Sequence, residues 1–139
     1  MADSRAGTLE LTPLADQIRR HLFYSQAKSP SLATRHDHLM ALSLAVRDRL
    51  LQNWVDTAEA YTRQGVRTAA YLSAEYLLGP HLENNLVNLG LRNEAERACR
   101  ELGLDLDDLI ASEPEPGLGN GGLGRLCRPQ PQGVGGAHA

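Results

Sequence analysis

The sequence predicts a mainly α-helical fold with one or two short strands, and three observations support this prediction. Apolar residues recur at helical spacing between residues 14 and 22, and again over the much longer stretch 34–64. Typical helix-start and helix-stop residues bracket both stretches. Only the segment 66–72 (VRTAAYL) has the composition of a strand. A chain of 139 residues has room for one such domain with a moderate core.

The first two helices are predicted from their capping residues. Thr12-Pro13 supplies an N-cap followed by proline at the first helical position, and the first helix is expected to run to about Ala27. The second begins at Thr34, because Asp37 lies three positions on and can complete a capping box. Gly65 ends this helix.

The second helix carries two adjoining apolar stripes that cover more than half of its circumference, so we expect other structure to surround it. The stripes are Leu39, Leu42, Val46, Leu50, Trp54 and Tyr61, and beside them Met40, Leu44, Leu51 and Val55. Arg47 projects from within this arc. Because an unpaired buried charge is costly, a carboxylate or carbonyl partner is expected for it.

Three shorter helices follow the strand-like segment. They are predicted at 81–91, at 92–102 with Gly103 as the stop, and at 106–111. Glu75 lies just after the C-terminal end of the predicted strand, where open α/β sheets place binding groups, and is a candidate site carboxylate. A surface glutamate is the alternative interpretation.

The most distinctive segment is 117–125 (GLGNGGLGR), in which glycine supplies five of nine residues. Glycine lets successive backbone N–H groups point into one concavity, where they can hold a phosphate or a polar sugar edge. Its GxGxxG patterns do not predict a dinucleotide site, because the preceding SEPEP (112–116) is hostile to the strand that such a site requires. No GK[ST] follows, which excludes a P-loop. A phosphate or sugar cradle and a flexible linker both remain open.

Composition excludes several classes of function. The formal net charge is −3 and aromatic residues make up 4% of the chain, which gives no basis for expecting nucleic acid as a partner. No apolar run has the length of a membrane span, and residues 1–8 lack a signal-peptide core, so a cytoplasmic location is expected.

Histidine and cysteine residues do not predict a metal site. His36, Asp37 and His38 are adjacent in one helical turn and point in different directions, so capping and exposure are favoured over ligation. His21 is expected to pack or to make one hydrogen bond. Cys99 and Cys127 are too few for a zinc site or a disulfide framework, and Cys99 is interpreted as a buried helix residue.

Several stretches, in family order and spacing, resemble the N-terminal part of the α-glucan phosphorylases, the family of glycogen, starch and maltodextrin phosphorylases. They are RRHLFYSQAK (19–28), ATRHDHLMALSLAVRDRLLQNW (33–54), AYLSAEYLLG (70–79), NNLVNLGL (84–91) and GLGNGGLGRL (117–126). The resemblance covers about residues 14–126, and its last motif is highly specific.

The resemblance implies a truncated N-terminal part of a GT-B glycosyltransferase, which has two Rossmann-like domains with pyridoxal phosphate between them. The family transfers a terminal α-1,4-linked glucose to phosphate and releases glucose 1-phosphate. Its glycine-rich loop lies at the catalytic cleft, so Gly121 and Gly122 are implied to face the substrate and cofactor phosphates. Asn120 precedes them, and Leu123 matches the residue that borders the glucose. Glu75 matches the acid of the family's YLSLEF motif and is the implied catalytic residue.

Three departures from the family pattern affect the predicted organisation. Pro80 stands where the family has arginine, Glu115-Pro116 replaces an aspartate–alanine step, and CRPQPQGVGGAHA (127–139) replaces an apolar helix. We expect a disordered tail at 1–11, an incomplete phosphorylase N-terminal region at 12–126, and a disordered non-family tail at 127–139. The expected origin of that last tail is a shifted reading frame, a truncated gene or a misannotated coding region, and a genuine short paralogue is the alternative.

The resemblance also implies what the chain does alone. The family binds pyridoxal phosphate as a Schiff base on a lysine of its C-terminal domain, whereas Lys28, the only lysine of this chain, lies in a Ser/Pro-rich linker. We therefore expect no cofactor binding and no catalysis by this chain alone. The implied partners are an α-1,4-glucan, phosphate and a second copy contacted through Trp54, for which ordinary core is the alternative. A non-catalytic glucan-binding or dimerisation remnant is the alternative function.

Overall fold

A computed structural model describes residues 12–72 and 79–114, and helices are the only regular elements within them. The elements are α1 (Leu14–Arg20), a π-helical turn (His21–Ser25) that continues it, α2 (Arg35–Gln64), α3 (Leu82–Asn88), α4 (Arg92–Glu101) and α5 (Leu106–Ala111). The predicted mainly α fold is confirmed.

The shorter helices pack on the N-terminal half of α2. Helices α1, α3 and α5 each contact α2, and α4 contacts these three helices in turn. The buried core consists of Leu14, Ala15, Ile18, Leu22, Leu39, Ala41, Leu42, Ala45, Val46, Leu82, Leu86, Ala95, Ala98, Cys99, Leu106 and Leu109. One apolar cluster therefore joins all five helices.

Helix α2 begins and ends as the sequence predicts. The Thr34 hydroxyl accepts a hydrogen bond from the Asp37 N–H at 3.2 Å, and the Asp37 carboxylate accepts one from the Thr34 N–H at 2.8 Å. Gly65 adopts a left-handed conformation with φ 58°, which glycine enters without steric cost. Both signals lie within a few residues of the helix end that they determine.

The start of the first helix differs from the prediction. Pro13, not Thr12, is the N-cap residue and makes no side-chain capping bond. The free N–H of Leu14 instead donates to the Glu94 carboxylate of α4 at 3.3 Å, so a distant residue replaces the local cap. At the other end the π-helical turn stops at Ser25, and Ala27 has a positive φ of 52°.

The strand predicted at 66–72 is not formed. These residues have no regular secondary structure, and Tyr71 and Leu72 are 92% and 93% exposed. A strand satisfies its backbone groups by pairing with a neighbouring strand, and the described part of the chain contains none. Strand-like composition alone was therefore insufficient in this segment.

Only part of α2 is surrounded by other structure, whereas its two apolar stripes taken alone predicted cover along the whole helix. Its C-terminal half leaves five large side chains between 38% and 71% exposed, namely Leu50, Leu51, Trp54, Val55 and Tyr61. We call these residues the apolar strip. Arg47 lies in the same arc, is more than half exposed, and has the expected carboxylate partner in Asp48 at 3.4 Å. None of the helices within residues 12–72 and 79–114 has the length and apolar character needed to cross a membrane.

Candidate functional site

The residues predicted to form the site, Glu75 and Asn120-Gly121-Gly122-Leu123, lie outside the described residues. The structure does describe the chain that adjoins them. Residues 79–82 follow the Glu75 segment and lead into α3, and residues 112–114 leave α5 toward the glycine-rich segment. What the structure describes of the site is therefore the contact between residues 79–82 and residues 112–114.

Glu113 joins the two ends directly. Its Oε1 accepts hydrogen bonds from the N–H groups of His81 at 2.9 Å and Leu82 at 3.2 Å, and its Oε2 accepts from Leu82 at 3.0 Å. The contact is partly buried and links residues about thirty positions apart in the chain. We call this contact the Glu113 clamp.

Local sequence explains why the clamp forms. The N-cap of α3 is His81, whose side chain makes no capping bond, so the first N–H groups of α3 need an outside acceptor. Glu113 is held in place because its own N–H donates to the Ile110 carbonyl at 3.0 Å, at the end of α5. A carboxylate at a helix N-terminus is further stabilised by the helix dipole.

Sequence reasoning missed the role of Glu113. It treated the acidic, proline-containing run 112–116 only as a barrier to a strand. The missing signal was the absence of Ser, Thr, Asp or Asn immediately before α3. A helix start without a local cap indicates an acceptor elsewhere in the fold, although it does not reveal which residue supplies it.

Of the adjacent residues His36, Asp37 and His38 at the start of α2, Asp37 caps the helix. Hydrogen bonds from the Thr34 backbone and side chain lower the pKa of Asp37, and burial lowers the pKa of His38. Within residues 12–72 and 79–114, no group of three or more His, Cys, Asp and Glu side chains could hold a metal ion. Capping is thus the role that the structure gives to Asp37.

The stability contributed by the Asp37 charge should depend on pH. Because the folded pKa of Asp37 is lowered, its contribution is present above the unfolded pKa and is lost as pH falls through the lower folded value, below about pH 4. The free energy of unfolding, measured in urea, should therefore differ between the natural chain and Asp37→Asn near neutral pH. That difference should shrink on acidification, and a difference that stays constant down to about pH 2 would contradict this account.

His21 makes two hydrogen bonds, one more than predicted. Its Nδ1 lies 3.0 Å from the Ser25 hydroxyl and its Nε2 lies 2.9 Å from the Asp48 carboxylate. These three residue types form catalytic triads elsewhere, but such a site also needs free donors to stabilise an oxyanion. The N–H groups of residues 26, 27 and 28, which follow Ser25, all donate to backbone carbonyls of the same turn. The arrangement therefore fastens the π-helical turn to α2.

The described residues do not fit pyridoxal phosphate. The cofactor requires a lysine amine for its Schiff base. Lys28 Nζ lies 3.8 Å from the Asp37 carboxylate, next to the capping box of α2. The amine of the only lysine is therefore paired with the residue that caps the long helix.

Cys99 is buried, as predicted, and only 1% exposed. Desolvation is the main reason that the pKa of its thiol rises from 9.0 to about 11. Because the thiolate is the reactive form, a rise of this size reduces its reactive population about a hundredfold. In a Cys127→Ser variant, we expect Ellman's reagent to react with Cys99 at least about a hundredfold more slowly in the folded chain than in urea. Similar rates would show that Cys99 is accessible.

Comparisons with known proteins identify relatives. No protein-family model matches the chain. It is 54% identical over 125 residues to the glycogen phosphorylase of Synechocystis sp., which covers 90% of this chain and 15% of the relative. It is 41% identical to the brain form of glycogen phosphorylase from Bos taurus and 40% identical to the muscle form from Homo sapiens. Each of these alignments spans 122 residues, which is 88% of this chain and 14% of the relative. The chain is homologous to a segment of the glycogen phosphorylases, and it spans about 15% of the length of the curated relatives it matches.

Proposed function

We propose that this chain is part of an α-glucan phosphorylase and contributes the phosphate-binding side of its catalytic cleft. The reaction is transfer of a terminal α-1,4-linked glucose to phosphate, which releases glucose 1-phosphate. The observation that carries the proposal is the 54% identity to the Synechocystis glycogen phosphorylase over 90% of the chain. The glycine-rich motif supports it, because successive glycine N–H groups suit a phosphate.

In this proposal the site residues have separate roles. The backbone N–H groups of Gly121 and Gly122 hold the phosphate oxygens, with Asn120 before them and Leu123 beside the glucose. Preorganised donors of this kind stabilise the charge that develops as phosphate attacks the glycoside. Glu75 is the cleft carboxylate. The Glu113 clamp supports this grouping, because it holds the described ends of both segments together.

We further propose that the chain alone is not a catalyst. Its only lysine is paired with Asp37, so a Schiff-base lysine for pyridoxal phosphate must come from polypeptide beyond these 139 residues. Residues 12–126 are the phosphorylase-related region in this proposal, with tails at 1–11 and 127–139. We place the protein in the cytoplasm.

The first experiment measures phosphorolysis by the purified chain. Glucose 1-phosphate release is assayed from glycogen and from maltodextrin with added pyridoxal phosphate, while cofactor absorbance is followed. We expect neither activity nor a cofactor band. Activity with bound cofactor would overturn the proposal that the chain is incomplete and would require another chain to supply the lysine.

A chimera tests the proposed contribution to catalysis. The matching segment of the Synechocystis phosphorylase is replaced by the corresponding residues of this chain, and phosphorolysis is measured. We expect activity, and we expect Gly122→Pro, which removes the N–H group, to lower kcat about a hundredfold or more, as the loss of one oxyanion donor does. Leu118→Ala in the same loop is the control. A folded chimera without activity would count against the proposal.

Two partners belong to the proposal, a glucan and a second copy of the chain. The apolar strip favours the second copy, because a row of five large exposed apolar side chains on one helix is typical of an interaction surface. A non-catalytic dimerisation or glucan-binding remnant is the second candidate function, and the same exposed strip favours it. Glucan affinity of the purified chain, without turnover, would identify this alternative.

A further inference from the structure

We propose that Glu113 is a positioning residue for the phosphorylase site. It fixes the chain that enters the glycine-rich segment against the chain that leaves the Glu75 segment. This inference rests on the proposed function, since that function gives both segments a common task. It adds a residue that neither the sequence motifs nor the resemblance assigned to the site.

The clamp has the chemistry of a strong, directed contact. Both Glu113 oxygens are used, and they accept three N–H···O contacts of 2.9 to 3.2 Å from two consecutive amides. Hydrogen bonds to an ionised acceptor are stronger than neutral ones. Using two oxygens on two neighbouring amides also fixes direction, because rotation of the carboxylate would break at least one bond.

Both sides of the clamp are anchored in the core. Leu82, the residue that donates to both oxygens, is itself 4% exposed and packs in the buried cluster. On the other side Leu109, four residues before Glu113, is 2% exposed in the same cluster. The clamp therefore joins two fixed points and is not a contact between flexible ends.

The predicted site residues lie close to the clamp along the chain. Glu75 precedes His81 by six residues and Gly121 follows Glu113 by eight, whereas 46 residues separate Glu75 from Gly121 in sequence. Short tethers from one fixed point restrict how far two segments can separate. Loss of the clamp would leave α3 and α5 in the core but release the start of both tethers.

The competing explanation is that Glu113 only caps α3. A cap stabilises the helix and changes the free energy of unfolding. It would not change the separation of the two segments in chains that remain folded. The measurement must therefore report distance in the folded chain as well as stability.

The test measures the distance between spin labels at Ala74→Cys and Leu118→Cys by pulsed electron paramagnetic resonance. Cys127→Ser removes one competing thiol, and Cys99 is buried with a thiol pKa of about 11, so it escapes labelling at neutral pH. In the labelled chain that keeps Glu113 we expect one narrow distribution of label-to-label distances. In the labelled Glu113→Ala variant we expect the width of this distribution to be at least twofold larger. Glu113→Gln keeps a carbonyl acceptor and should restore most of the narrowing.

The matched control is Glu101→Ala. This change removes a carboxylate at the end of α4 that pairs with Arg19 of α1. It should leave the distribution unchanged. The proposal would be overturned if the natural chain and Glu113→Ala gave distance distributions of equal width while circular dichroism showed both to be folded. It would also be overturned if the distribution of the natural chain in buffer were as broad as its distribution in urea. If Glu113→Ala fails to fold, Glu113→Met, which keeps the length of the side chain without an acceptor, takes its place, and faster amide exchange at positions 81 and 82 without broadening would overturn the proposal. If the distance distributions are as expected but the chimera is inactive, the proposed function is refuted and the positioning role of Glu113 is not.

Discussion

Leu42→Ala is expected to destabilise the chain by about 3 kcal/mol, a large share of the stability that a small domain has. Leu42 is 0% exposed and lies in the half of α2 on which the shorter helices pack. Its truncation removes apolar contacts and leaves a cavity between helices that cannot close without moving others. Urea unfolding followed by circular dichroism at about 222 nm, where the helix signal is strong, measures the change.

Leu51→Ala is the matched control for this prediction. It makes the same chemical change in the same helix, but Leu51 is 47% exposed. We expect a loss below about 1 kcal/mol, because surface substitutions away from buried contacts are usually small. Equal losses at the two positions would show that the buried and exposed faces of α2 are assigned incorrectly.

Helix ends were predictable from sequence where the determining residues are neighbours. The capping box of Thr34 and Asp37 and the left-handed Gly65 both form as expected, because each satisfies backbone groups within one helical turn. The starts of α1 and α3 were not predictable in this way. Their free N–H groups are satisfied by Glu94 and Glu113, which belong to other elements.

The same distinction applies to the candidate site. Its residues, Glu75 and Asn120 to Leu123, follow from motifs that resemble a family, and they stay predictions because they lie outside the described residues. The clamp that adjoins them depends on the packing of α3 and α5 against the same two helices, α2 and α4. Periodicity shows that both helices exist, but it does not show that the end of one reaches the start of the other.

The apolar strip shows how a periodic pattern can predict burial that is only partly found. Both stripes of α2 were expected to be covered, yet the helix extends beyond the shorter helices, and Trp54 is 71% exposed. Burying one large apolar side chain is worth about 1.5 to 3 kcal/mol. Covering several of them would therefore stabilise an association appreciably, and the proposed homodimer supplies such a cover.

Leu51→Lys combined with Val55→Glu is expected to weaken self-association at least about tenfold, measured as the dissociation constant in sedimentation equilibrium. Both side chains are about half exposed, so the change should leave the core intact, and a Lys–Glu pair four residues apart is compatible with the helix. Gln52→Lys with Asp56→Glu is the control, since it places the same charges at the same spacing beside the strip and should leave the dissociation constant unchanged. If the natural chain stays monomeric up to about 1 mM, where even a weak complex would form, the strip does not bind a second copy. Under the proposed function its cover would then come from the rest of a phosphorylase, since this chain aligns with only 15% of the Synechocystis relative.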